Sequence, residues 1–212
     1  MKEDNICLLK EIQIFKQALK KAAGLLDIIE NTSDTVLYVQ DESKIRVESN
    51  NYRSWSPIGQ PPIIERNGTR KGVNIIGATE ISKNYDSVVN VYSSDERITS
   101  IEIIKFLKDL LDVNKHKKVF MIWDNARIHT SKTVEGFIKE HEDKLFVLNL
   151  PPYSPMLNPQ ENVWNKLKSY FYEYKARSSV DEIINFISDY FRQANSNKAE
   201  TKSLVNARSY YK

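Results

Sequence analysis

Leu150-Pro151-Pro152-Tyr153-Ser154-Pro155-Met156-Leu157-Asn158-Pro159-Gln160-Glu161-Asn162-Val163-Trp164 is the stretch on which the fold of this chain turns. Pro151, Pro152, Pro155 and Pro159 rule out a central strand or helix interior before Gln160. They also stiffen the approach to the next element by narrowing the freedom of the unfolded chain. From Gln160, the apolar residues Val163, Trp164, Leu167, Phe171 and Tyr174 recur at helical spacing. The spacing predicts a helix from Gln160 to about Tyr174. Glu161 shares a different face with Asn165 and Lys168. If the apolar face packs on a sheet, Glu161 points outward, toward the strand ends.

Upstream, short apolar runs alternate with helical patterns. Leu145 to Leu148 reads as a short strand, Ser131 to Glu142 as a helix, and Val119 to Trp123 as a buried strand ending in Asp124-Asn125-Ala126-Arg127. Ile98 to Val113 has helical periodicity, with Asp95 or Thr99 as its cap. Val73 to Thr79 and Ser87 to Tyr92 read as antiparallel strands joined by a polar turn at Ser82-Lys83-Asn84. Val36 to Gln40 is a further buried strand, running into Asp41-Glu42-Ser43, while Ser54 to Pro62 is a turn-rich insertion. Leu8, Ile12, Phe15, Leu19, Ala22, Leu26 and Ile29 mark one face of an N-terminal helix. Asp181 to Gln193 is the last helix, and the polar tail from Asn195 is expected to fray. The expected division is a packing or connecting helix over 1–30, a catalytic domain over 31–194 and a tail over 195–212. Strands that cluster early and then alternate with helices imply an α/β layer fold with a mixed sheet.

The chain has 212 residues, of which 41% are apolar and 28% charged, as expected of a globular domain with a substantial core. It has no apolar stretch of membrane-spanning length and its start lacks a signal-peptide pattern. The lone Cys7 excludes an internal disulfide framework and a multi-cysteine zinc site, and suits a reducing cytosol. A net charge of +3 permits a polyanionic partner without demanding one.

Asp41, Asp124 and Glu161 each sit beside an expected buried element, the last in the first turn of its helix. Magnesium is a hard cation that takes oxygen ligands. Two carboxylates on neighbouring strands can share it with water and a substrate phosphate. Two such ions about 4 Å apart activate a nucleophile and stabilise a leaving oxygen. Without a cation, close carboxylates repel and one pKa rises. Each acid alone also has a structural reading. Asp124 and Glu161 suit helix N-termini, Asp41 suits a turn, and Glu42 is an alternative ligand.

Asp124-Asn125-Ala126-Arg127-Ile128-His129 together with Leu150 to Trp164 resembles the catalytic core of the mariner superfamily of transposases, and more narrowly its bacterial insertion-sequence branch. Gln40-Asp41-Glu42-Ser43 is similar to that family's first acidic motif, and Gly59-Gln60 and Gly77 also fit. The resemblance covers roughly Val36 to Tyr174. It implies a ribonuclease-H-like fold: a mixed five-stranded sheet flanked by helices, here with an extra N-terminal helix. It also implies a DDE-type enzyme using two Mg2+ or Mn2+ ions held by Asp41, Asp124 and Glu161. Such an enzyme cuts DNA at transposon ends with water, then joins the freed 3′-hydroxyl to target DNA, usually at TA. The implied partners are DNA, a second copy of the chain in the active complex, and an upstream helix-turn-helix polypeptide. The implied setting is the bacterial cytoplasm, at the nucleoid. Family members carry helix-turn-helix domains before the core, whereas only one helix precedes Asp41 here, so a split or truncated transposase is expected. The alternatives are a non-catalytic remnant that binds DNA or full-length transposase, and another ribonuclease-H-like nuclease.

Other residues carry two readings each. Arg127 is placed to fork onto a phosphate or to form a surface salt bridge. His129 is either a DNA contact or a helix-start histidine. Lys168 shares the Glu161 face and suits a phosphate contact, and Trp55 suits base stacking or a partner contact. The basic stretches Lys115 to Lys118 and Lys166 to Arg177 suit either solvated surface or a phosphate track. Asn125 and Asn158 are suited to ordering the acidic loops through side-chain-to-backbone bonds.

Overall fold

The computed structural model describes residues 16–17, 20–47, 56–60, 69–152, 154–173, 179–206 and 211. Five strands form one mixed sheet in the order β3-β2-β1-β4-β5. Strands β1 (Thr35–Arg46), β2 (Gly72–Glu80) and β3 (Ser87–Ser93) form an antiparallel meander. Strands β4 (Lys118–Trp123) and β5 (Leu145–Asn149) extend it in parallel from β1. The β2–β3 turn is built on the buried Glu80, whose carboxylate accepts the backbone N–H groups of Ser82, Lys83, Asn84 and Tyr85.

Period-two alternation divides the strand side chains between two cores. On one face, Leu37, Val39, Ile45, Val73, Ile75 and Ile122 meet three helices. These are α1 (helical over 20–30), α4 (Gln160–Glu173) and α5 (Val180–Ser196). On the other face, Val36, Tyr38, Ile76, Ala78, Met121 and Trp123 meet α2 (Ser100–Val113) and α3 (Lys132–Glu140). Sheet and helices thus form three layers, the α/β arrangement with a mixed five-stranded sheet that the sequence predicts. Thr99 caps α2 in a capping box, its N–H donating to Glu102 at 2.8 Å, and Ser131 caps α3. Ala22, Leu26 and Ile29 of α1 are buried in the first core. The N-terminal part of the expected helix and Trp55 lie outside the described residues.

Two expectations are corrected. The first strand does not stop before Asp41. Its ladder with β2 continues to Arg46↔Gly72, so Asp41 and Glu42 lie inside β1 on opposite faces. The apolar run ends earlier because β4 covers only Thr35 to Val39. Nor do the described residues of the C-terminal tail fray. Asn197 caps α6 (Lys198–Leu204), and Val205 and Tyr211 are buried in the first core. The Tyr211 hydroxyl donates to the Leu157 carbonyl at 3.1 Å, and Asn162 Nδ2 donates to the Leu204 carbonyl at 2.8 Å.

Candidate active site

The parallel ladder of β1 and β4 ends at Val39↔Ile122, and continuing its register sets Asp41 opposite Asp124. By alternation both side chains lie on the α4 side of the sheet. Asp41 faces Gly77 across the β1–β2 ladder. A Cβ at Gly77 would stand 2.5 Å from Cη2 of Trp164, so the indole occupies the space that a side chain would take. Trp164 is one helical turn beyond Glu161. Its seat on Gly77 therefore fixes the height of Glu161 beside Asp41. Val163, Trp164, Leu167 and Phe171 are buried, as the helical spacing predicts, and Glu161 is half-buried.

Asn158 ties the start of α4 to β1. Its Nδ2 donates to the Gln40 carbonyl at 2.8 Å, and its Oδ1 accepts from Gln160 N–H at 3.1 Å. Asn125 Nδ2 donates to the Leu150 carbonyl, and Leu150 N–H donates to the Trp123 carbonyl at 2.8 Å. The loops carrying Asp124 and the prolines are thereby pinned together. Asp41, Asp124 and Glu161 line one cleft of about 500 Å³, along with Asn125, Pro151, Pro152 and Asn158.

The electrostatics of the cleft are unbalanced. Burial first, then the negative charges of Glu161, Glu42 and Asp124, push the Asp41 carboxyl up to about 7. Asp124 moves the other way. The hydrogen bond from His129 holds it below the usual carboxylate range against the cost of its own burial, with help from Ala126 N–H. His129 is itself buried, which alone would lower its pKa, but bonds to Asp124 and Glu42 raise it to about 9. Its ring stacks on Trp123, with centroids 4.2 Å apart and planes 1° from parallel.

Among the described residues, no three His, Cys, Asp or Glu side chains stand close enough to form a ready-made cation cage. The three acids instead wall an open cleft. Magnesium does not require a cage. It is usually held by one or two carboxylates, with waters and substrate phosphate completing the octahedron. The donor set therefore fits a hard divalent ion, and the rise at Asp41 marks a site short of positive charge.

The reading of His129 as a DNA contact is also corrected. Its side chain is 1% exposed and both ring nitrogens are engaged within the protein. Glu42, the alternative ligand, lies on the opposite face of β1 from Asp41 and faces His129. Arg127 is exposed in the turn after Asp124, and Lys168 is half-buried on α4 beyond Glu161. Lys166 pairs with Glu200 at 3.2 Å and lies over the ring of Tyr170. Lys175 and Arg177 lie outside the described residues.

This sheet order, with one acid on β1, one just past the end of the adjacent β4 and a third on the helix laid over them, defines a ribonuclease-H-like α/β protein. The chain belongs to the DDE superfamily endonuclease family, which matches residues 36–184. Its fold is similar to that in the Mos1 transposase paired-end complex with left transposon end. The TM-score is 0.68 at 16% identity, covering 94% of this chain and 60% of that one. It is also similar to the catalytic domain of Mos1 mariner transposase. There the TM-score is 0.63 at 13% identity, covering 94% of this chain and 90% of that one. The chain thus spans about 60% of the length of the Mos1 chain in the paired-end complex. At these identities the likeness shows the fold alone. A comparison with curated proteins finds no match.

Proposed function

We propose that this chain is the catalytic part of a transposase of the mariner superfamily, in its bacterial insertion-sequence branch. It cuts DNA at transposon ends and joins the freed 3′ ends to target DNA. The observation that carries this reading is the single cleft lined by Asp41, Asp124 and Glu161, the first two carried toward it by the parallel pairing of β1 with β4. Family membership as a DDE superfamily endonuclease and the fold of the Mos1 catalytic domain support it. Mos1 paired-end complexes with Mn and with Mg, and a Mos1 strand transfer complex, support divalent metal and DNA as its ligands.

In this reading Asp41, Asp124 and Glu161 hold two Mg2+ or Mn2+ ions together with the scissile phosphate. Ions held there would supply Lewis-acid chemistry, activation of water or a 3′-hydroxyl and stabilisation of the leaving oxygen. The protein's own work is placement. Asn158 and Trp164 set Glu161 against β1, and Asn125 holds the Asp124 loop to the proline loop. The stiff Pro151-Pro152 wall limits where the phosphate backbone enters. Arg127 and Lys168 contact flanking phosphates without reading bases. A second copy of the chain completes the assembly on DNA at the bacterial nucleoid.

The test is nicking of end-bearing DNA in Mn2+ by the full chain, purified with an end-binding domain. Asp124→Ala should lower the rate on the order of 10³-fold, the several kcal/mol that a metal centre contributes. Equal rates for the variant and the wild type would refute the enzymatic reading.

A further inference from the structure

Asp124 is held by one of its two carboxylate oxygens. Oδ1 accepts from Ala126 N–H at 2.9 Å and lies 3.0 Å from His129 Nδ1. That nitrogen is also 3.1 Å from the carbonyl oxygen of Asp124. On the far side of the ring, Nε2 lies 2.9 Å from Glu42 Oε1, which also accepts from Gln40 Nε2 at 2.9 Å. The Trp123 face fixes the ring plane. The imidazole is therefore a buried strut with one end on β1 and the other on the Asp124 loop.

A carboxylate turns freely about its last torsion unless something holds it. Ala126 N–H donates to Oδ1 and the His129 ring edge stands 3.0 Å from the same oxygen, so Oδ1 is held on the protein side and Oδ2 is the oxygen free to turn to the cleft. We propose that His129, braced by Glu42, is a positioning residue that turns Asp124 so that Oδ2 meets the divalent ion. The proposal rests on the carboxylate site described under Proposed function. Supports of this kind are general, since carboxylates that ligate metals are themselves oriented by hydrogen bonds. Here the support springs from the strand that bears the partner ligand. Asp41 faces the cleft, and its neighbour Glu42, on the opposite face, braces the strut.

The test is Mn2+ binding to the full chain without DNA, followed by loss of the free-ion electron paramagnetic resonance signal. Asn at position 129 places an amide N–H near the position of Nδ1, and Gln places one near Nε2. His129→Ala and His129→Gln should weaken Mn2+ binding by about 10–100-fold, while His129→Asn should recover most of the loss. Equal weakening by Asn and Gln would reduce His129 to a packing residue and overturn the proposal. So would wild-type affinity in all three variants. If His129→Ala gives no cooperative thermal melt, the Asn and Gln pair decides alone. Asp124→Asn separates the two levels. If it binds Mn2+ like the wild type, the carboxylate site itself is wrong and the proposal falls with it. If it loses Mn2+ while every His129 variant keeps it, the site stands and the positioning role is refuted.

Discussion

Asp41 and His129 hold protons more tightly in the folded protein than in the unfolded chain, and each makes stability fall as pH rises. Asp41 moves from 3.8 to about 7, so the stabilisation it gives below pH 3.8 is lost as pH rises through 7. His129 moves from 6.5 to about 9, and its share is full below 6.5 and lost through 9. Asp124 has the opposite sign: its lowered pKa stabilises above the ordinary carboxylate range and is lost as acid reaches its folded value. At pH 8 in chelator, ionised Asp41 therefore burdens the fold. Asp41→Asn should raise Tm there, by roughly 2–4 °C for each kcal/mol relieved. Mn2+ should raise the Tm of wild type more than that of the variant, and a lower Tm for Asp41→Asn in chelator would contradict this. At this scale the sequence was legible for the acids and not for their support. Asp124 and Glu161 stand within long, specific motifs. The role of His129 depends on the Trp123 ring and on Glu42, 87 residues away in the chain, and no local spacing encodes either contact.

Strand β1 and helix α4 convert these residues into a site. Periodicity revealed the apolar face of α4 but not what that face rests on. Gly77 looks unremarkable within a strand, yet it is the gap that admits Trp164. Gly77→Ala should cost about 1–3 kcal/mol through overpacking. Chemical denaturation of Gly77→Ala, Trp164→Phe and the double variant should show costs that fall short of additivity, because the smaller ring relieves the clash. Strict additivity would place Trp164 elsewhere. Asn158 is the second link between these elements. Asn158→Ala leaves the buried Gln40 carbonyl without its donor, a cost of about 1–3 kcal/mol. Nicking should fall further than that loss of stability accounts for, because Glu161 moves with the start of α4. Unchanged nicking in a folded Asn158→Ala protein would contradict the role given to this link. The extent of β1 was hidden for a related reason. Asp41-Glu42-Ser43-Lys44 has no apolar pattern, and only pairing with β2 makes it strand.

Two cores hold the molecule around the sheet, and the one beneath the cleft is completed by residues remote in sequence. Ala22, Leu26 and Ile29 enter it from one end of the chain, Val205 and Tyr211 from the other. The sparse apolar residues beyond Asn195 make too weak a pattern to announce a packed segment, although Tyr211 closes over the proline loop through Leu157. Ending the chain after Ser196 should therefore cost roughly 3–5 kcal/mol, the scale of losing a large buried side chain. Urea unfolding measures it, and an unchanged midpoint would show that the tail adds nothing. The same core carries α4, so the cleft geometry depends on the whole fold being closed. Anomalous diffraction from crystals grown in Mn2+ reads that geometry directly. An ion is expected in the cleft at about 2.0–2.6 Å from carboxylate oxygens of both Asp41 and Asp124, with Glu161 completing the site around it. Manganese bound elsewhere, with none between β1 and β4, would contradict the carboxylate site and the chemistry assigned to it.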